Sequence, residues 1–370
     1  MQNFRETFAK TATLIDEGTT LGLHAGAQLY ISVKSDPVAN WATGVARQGI
    51  DMTPETVMPW LSSGKPLGAI GIGRLVDMGV VELDERVGAY IPEFAVRGKE
   101  AITVRQLLTH TGGFRAADYI LGMGWDQILE RICGAALEPR WVPGETAGYH
   151  PETSWYVLGE IIRRVDPGHR DFATFMREEI FEPVGMEDCW FVMDGETCAS
   201  YAPRLGSMRF TMGPDERTFD LHEPAQCGFY SPGASARGPV SQLGMFYEML
   251  LRGGRTVSGT QLISAETVKT FTSRQRTGTY DLTFKHIVDW GLGFIVNSAR
   301  YGEQTVPYGY GLHASPETFG HGGRQSSVGM ADPARGLVIA LVFNGMPGDL
   351  AHQNRVRSVL SAIYEDLGMA

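Results

Sequence analysis

Lysine is scarce in this 370-residue chain, with six in all, at positions 10, 34, 65, 99, 269 and 285. Acidic residues outnumber basic ones by 42 to 32, for a net charge of −10. No basic stripe is left to grip a phosphate backbone, which excludes nucleic acid as a partner. Cysteine is scarce too. Cys133, Cys189, Cys198 and Cys227 are spread without a C-x-x-C pair, which argues against a structural zinc site and predicts four free thiols in a reducing compartment. The nine histidines form no H-E-x-x-H pattern, so neither a metal nor any other cofactor is expected. No apolar run reaches bilayer-spanning length. The opening MQNFRETFAKTATLIDEG carries charges throughout and has no long apolar h-region, so it does not read as a secretory signal; a cytoplasmic protein without a membrane partner is predicted.

With 43% hydrophobic and 20% charged residues, the chain is able to bury a large core. Phe4, Phe8, Ala12 and Ile15 recur at helical spacing and predict a first amphipathic helix ending near Gly18. GAQLYISVK (26–34) and ANWATGVA (39–46) read as strands joined across SDP. Between about 80 and 285 helical patterns (103–109, 125–135, 152–165, 171–181 and 239–252) alternate with Gly- and Pro-rich loops. Then FGHGG (319–323), SSVGMADP (326–333) and RGLVIALVFNG (335–345) read as strands, and a helix closes the chain. Strands at both ends around a helical middle predict an α/β plus all-α architecture: an antiparallel sheet flanked by terminal helices. Residues 1–79 and 286–370 would form the α/β domain, and 80–285 an inserted, mainly helical lobe.

LSSGKPLGAIGIGRLVDMGV (61–80) contains the chemistry. Ser62 and Lys65 are three apart, hence neighbours on one helix face. An S-x-x-K match alone is weak, since a chain this long shows roughly one by chance; here Lys65 is the one lysine with a serine three before it. As a plain helix start, Ser62 or Ser63 would be an N-cap and Lys65 a solvated first-turn residue, yet positive charge is electrostatically misplaced there. As chemistry, the helix N-terminus favours a developing oxyanion, and a desolvated lysine of lowered pKa takes the serine proton. Gly68, Gly71 and Gly73 run G-x-x-G-x-G, the reverse of the dinucleotide fingerprint, and point to close backbone packing.

WLSSGK (60–65), LLTHTGGF (107–114), GYHPETSWYVLGEII (148–162), FEPVGMEDCWF (181–191), SPGASARGPVSQLGMFYEMLLRGG (231–254) and FGHGGRQSSVGMADP (319–333) follow one another in this order. Together they resemble the serine hydrolases related to class C β-lactamases and D,D-peptidases, over about residues 20–365. The resemblance implies Ser62 as nucleophile, with Lys65 and Tyr149 sharing the general-base role. It implies the backbone N–H groups of Ser62 and Arg324 as oxyanion hole, and His321, Gly322, Gly323 and His150 as substrate-binding residues. His110 falls on a position that shapes a turn in the family.

Two departures bear on substrate. Pro151 stands where β-lactamases place an asparagine and has no side-chain donor. His321 stands where they place a lysine and is largely neutral at pH 7. Both argue against a dedicated β-lactamase while leaving acyl-enzyme chemistry intact. The expected activity is hydrolysis of a small-molecule carboxylic ester or amide through an acyl-enzyme. An acyltransferase feeding an amine or alcohol acceptor is the alternative, and a noncatalytic binding protein of the same fold is a third reading that the intact Ser62, Lys65 and Tyr149 set opposes. A lipase-type site is excluded by the lack of any G-x-S-x-G elbow. The segment 207–230 has no periodicity and is expected to form one wall of the substrate pocket or a surface loop.

Overall fold

The computed structural model describes residues 4–120, 122–212, 218–219 and 227–370. Its centre is an antiparallel sheet of eight strands in the order Asp289–Trp290, Ile295–Val296, Phe319–Gly322, Ser327–Asp332, Leu337–Phe343, Gly26–Val33, Asp36–Arg47 and Ile50–Asp51. Both chain ends therefore contribute, and they meet where Ala27 pairs with Phe343 and Val33 with Leu337. The hairpin is present, but it turns at Lys34 and Ser35 rather than across SDP, and Asp36 and Pro37 already belong to the second strand; the φ values of 51° and 66° are those a two-residue turn with the natural strand twist requires.

The two central strands are buried on both faces, and their side chains divide with period two. Leu29, Ile31, Ile339, Leu341 and Phe343 pack with Ile15, Leu360 and Ile363 from the terminal helices Ala9–Thr20 and Asp349–Asp366, and with Phe8 just before the first of them. Tyr30, Val338, Ala340 and Val342 face the opposite way, toward Leu243, Phe246 and Tyr247 of the helix Val240–Leu251. Beyond that helix lie Lys65–Asp77, Thr153–Val165, Phe172–Met176 and Ala265–Thr272, packed on one another. In Lys65–Asp77 the glycines are packing devices: a Cβ at Gly71 would meet Met176 Sδ at 2.8 Å, and one at Gly73 would meet Ile263 Cδ1 at 2.9 Å.

Several expectations change. The helix Val240–Leu251 lies on the sheet although it falls within 80–285, and Lys65–Asp77 packs with the lobe helices although it falls within 1–79. The chain crosses between the two layers more often than one insertion requires, because the sheet's second face also needs an apolar cover. The stretch 171–181 is not one α-helix; it runs as Phe172–Met176 and then widens into a π turn at Arg177–Phe181. Cys198 and Cys227 are disulfide-bonded, with Cα atoms 6.3 Å apart, so only Cys133 and Cys189 are free thiols, both buried. The cysteine argument for a reducing compartment falls with that pair: sequence spacing gave no hint that two cysteines 29 positions apart would meet. Among the described residues no helix is long and apolar enough to cross a membrane.

Candidate active site

Ser62 sits in a single 3-10 turn, Leu61–Gly64, from which the helix Lys65–Asp77 continues. Leu61 before it has φ 51°, a left-handed conformation that costs a β-carbon-bearing residue on the order of 1 kcal/mol or more. Neighbouring bonds hold the turn in that state. Ser63, fully buried, donates from Oγ to the His321 carbonyl at 3.0 Å, and Ser327 Oγ donates to the Trp60 carbonyl at 2.6 Å. These bonds fasten the serine turn and the residue before it to the strands Phe319–Gly322 and Ser327–Asp332, while Ser62 itself faces the cleft.

Lys65 is completely buried. Its Nζ donates to Ser62 Oγ at 2.9 Å and to the Gly233 carbonyl at 2.6 Å, and it lies 5.2 Å and 5.6 Å from the ring centroids of Tyr149 and Trp155. Among the described residues no carboxylate forms an ion pair with it. Burial without a counter-ion lowers its pKa from 10.5 to about 7, against a small opposing pull from Glu152. An amine so poised is able to take the proton of a hydroxyl 2.9 Å away.

The Tyr149 hydroxyl is 2.9 Å from the same Ser62 Oγ. Its ring stacks on Phe284, with centroids 4.8 Å apart, and on Trp290 at 5.8 Å. Burial pushes the phenol pKa well above its usual 10, Ser62 partly offsetting it and the nearby Glu152 and Asp281 carboxylates adding to it. Tyr149 is therefore a neutral phenol that handles a proton rather than a standing phenolate. Of the two groups credited jointly with general-base character, Lys65 has the free lone pair near neutral pH.

Ser62, Tyr149, His321, Gly322 and Arg324 line one cleft of about 540 Å³. Among the described residues, neither the Ser62 nor the Arg324 backbone N–H has a hydrogen-bond partner. His321 is buried, its Nδ1 2.8 Å from the Gly322 carbonyl. That carbonyl is an acceptor only, so Nδ1 carries the ring proton. Burial and the nearby Lys65 hold His321 at a pKa of about 3, hence neutral. Gly323 lies just beyond, with N–H bonded to the Ser327 carbonyl at 2.8 Å; a Cβ there would strike the Trp60 carbonyl at 2.4 Å.

His150 does not reach the cleft. It is fully buried on the far side of Tyr149, where Nε2 accepts the Gly113 and Phe114 N–H groups at 3.1 and 3.2 Å. Tyr149 reaches Ser62 while His150 reaches Gly113 and Phe114, so a residue adjacent in the motif lands in the wall behind it. His110, φ 58°, accepts the His150 N–H on Nδ1 at 3.1 Å and has the turn-shaping position expected of it. Of the segment 207–230, residues 213–217 and 220–226 lie outside those described. Before them Met208–Phe210 forms a strand parallel to Gly345–Met346, and the Arg324 guanidinium lies 5.9 Å above the Phe210 ring. Sequence reasoning missed the opposite wall: Phe284, Tyr308, Asp349, Leu350 and Gln353. They occupy loops and a helix start with no motif, and only the fold gathers them.

A serine hydroxyl shared between a buried lysine and a tyrosine, set at the joint of an antiparallel sheet and a helical layer, defines a serine hydrolase. The Beta-lactamase family model matches residues 12–362, and the chain belongs to that family. Similar proteins include a relative from Escherichia coli that carries the name of a D-alanyl-D-alanine carboxypeptidase, 29% identical over 304 residues; the match takes in 73% of this chain and 64% of that one. Among solved structures, a penicillin-binding-protein homologue from Caulobacter crescentus is 28% identical with a TM-score of 0.80, each chain covered to 97%. A family VIII carboxylesterase is 26% identical, also with a TM-score of 0.80 and 97% of each chain covered.

Proposed function

We propose that this enzyme hydrolyses small neutral carboxylic esters through an acyl-enzyme on Ser62. The observation that carries the reading is the placement of Ser62 Oγ 2.9 Å from both Lys65 Nζ and the Tyr149 hydroxyl, with Lys65 held near a pKa of 7 by burial. Ser62 Oγ attacks the carbonyl carbon as its proton passes to Lys65. The carbonyl oxygen, now an oxyanion, lies against the unpartnered N–H groups of Ser62 and Arg324. The C–O bond to the leaving group then breaks, Tyr149 gives its proton to the departing oxygen, and the proton on Lys65 restores the phenol. Water, deprotonated by the same pair, attacks the acyl carbon and frees Ser62.

Neutral esters are favoured over β-lactams because the two contacts a β-lactamase uses are missing: His321 is uncharged and Pro151 lacks a side-chain donor. Among the described residues the one cation of the lining, Arg324, shares it with the Asp349 carboxylate. Ser62→Ala should abolish turnover of p-nitrophenyl acetate and labelling by a fluorophosphonate, with the fold intact by circular dichroism. Wild-type activity in that variant would overturn the reading. Acylation of Ser62 without release of acid, relieved by an added alcohol or amine, would convert it to acyl transfer.

A further inference from the structure

Tyr149 is held from behind by a knot that the family-wide motifs do not include. Asp281 is fully buried at the end of the short strand Tyr280–Asp281, where the hairpin turn toward Phe284 begins, and its Oδ1 accepts three backbone N–H groups: Tyr149 at 3.0 Å, Thr283 at 2.9 Å and Phe284 at 3.0 Å. Its Oδ2 accepts from Arg276 Nη2 at 2.9 Å, and Arg276, itself buried, donates onward to the Thr109 carbonyl at 2.8 Å. Thr283 Oγ1 returns a bond to the Tyr149 carbonyl at 3.0 Å, and Leu282 N–H bonds the Ala147 carbonyl at 2.9 Å. The same turn carries Phe284, whose ring stacks on Tyr149. One carboxylate therefore fixes the tyrosine's main chain and also the aromatic plate that sets the tilt of its ring.

We infer that Asp281 is the positioning residue for Tyr149, keeping the phenol oxygen within hydrogen-bond reach of Ser62; this rests on the proposed role of Tyr149. A phenol is some six bonds from its own backbone, so a small rotation of the 149 peptide is magnified at the hydroxyl. Displacing a proton-handling group by about 1 Å is enough to cost on the order of a hundredfold. A buried carboxylate with three N–H donors and an arginine is also a costly feature that ordinary loop packing does not require.

The test is a double-mutant cycle on p-nitrophenyl acetate hydrolysis with Asp281→Asn, which retains an oxygen for the three N–H groups but presents an amide to Arg276, and with Tyr149→Phe. Asp281→Asn alone should lower kcat about tenfold to a hundredfold with KM changed less than threefold. In the Tyr149→Phe background the same substitution should cost less than twofold, because no hydroxyl is left to position. Losses that multiply fully would overturn the inference and leave Asp281 a purely structural residue. Should Asp281→Asn fail to fold, Thr283→Val removes the second anchor without disturbing the buried charge, and the same cycle applies. Wild-type turnover in Tyr149→Phe would bring down the function proposed for Tyr149, a result distinct from multiplying losses.

Discussion

Replacing Lys65 by methionine, similar in length but uncharged, should make the protein inactive and alter its stability in a way that depends on pH. In the folded state Lys65 has a pKa of about 7 against an ordinary 10.5. Between those values the unfolded chain binds one more proton than the folded one, so wild-type stability rises with pH by about 1.4 kcal/mol per pH unit from this group alone. Below pH 7 the ammonium is charged in both states and its full burial cost, on the order of 5 kcal/mol, is present. Above 10.5 the cost has gone. The methionine variant lacks this slope but leaves the Gly233 carbonyl, now bonded at 2.6 Å, without its donor, a pH-independent loss of about 1–3 kcal/mol. Other groups titrate alike in both proteins and cancel. The stability difference, variant minus wild type, should therefore fall by about 2 kcal/mol between pH 7.5 and 9, measured by urea denaturation at each pH. A difference that stays flat over this range would show that Lys65 is protonated in the folded state throughout, and the proton-acceptor role would fail with it.

Ser63 provides a second contrast: Ser63→Ala loses the 3.0 Å bond that its hydroxyl donates to the His321 carbonyl, so it should cost about 1–2 kcal/mol of stability while retaining fluorophosphonate labelling of Ser62. Lost labelling in a folded Ser63→Ala protein would reopen the choice of nucleophile. Lys65→Ala and Tyr149→Phe should each lower kcat by about a hundredfold or more, and the double variant by much less than the product; full multiplication would mean that the two groups act independently. For substrate class, kcat/KM for p-nitrophenyl acetate or butyrate should exceed that for nitrocefin by at least about a hundredfold, or roughly 2.7 kcal/mol in transition-state binding. Equal or faster nitrocefin turnover would reverse the ranking.

The parts of the fold that could be read in advance are those with a strong period. GAQLYISV and LVIALVF alternate between two apolar layers or run wholly apolar, and both are the central strands. Asp289–Trp290 and Ile295–Val296 are two residues long, too short for any period to register. At the site, Ser62 and Lys65 were legible because a helix fixes what three-residue spacing means, and Tyr149 because its motif resembles the family's. His150 was misplaced because a motif names neighbours in sequence without saying which side of the backbone each occupies. Asp281 left no trace in YDLTF: two of its three N–H donors are local, but the one that matters, that of Tyr149, comes from 132 positions earlier in the chain.

The pairing of Gly26–Val33 with Leu337–Phe343 bears on how the enzyme is made. During synthesis the ribosome releases Ser62, Lys65 and Tyr149 well before the turn that carries Arg324 or the strand that completes the sheet. Until Leu337–Phe343 emerges, Gly26–Val33 presents a long apolar edge to whatever lies nearby, the kind of edge that pairs with other chains. The nascent protein thus contains the proposed nucleophile and base for most of its translation without the amides proposed to stabilise the reaction. Its catalytic power should appear only when the last strand docks, so that the event that ends the aggregation hazard is also the one that switches the enzyme on.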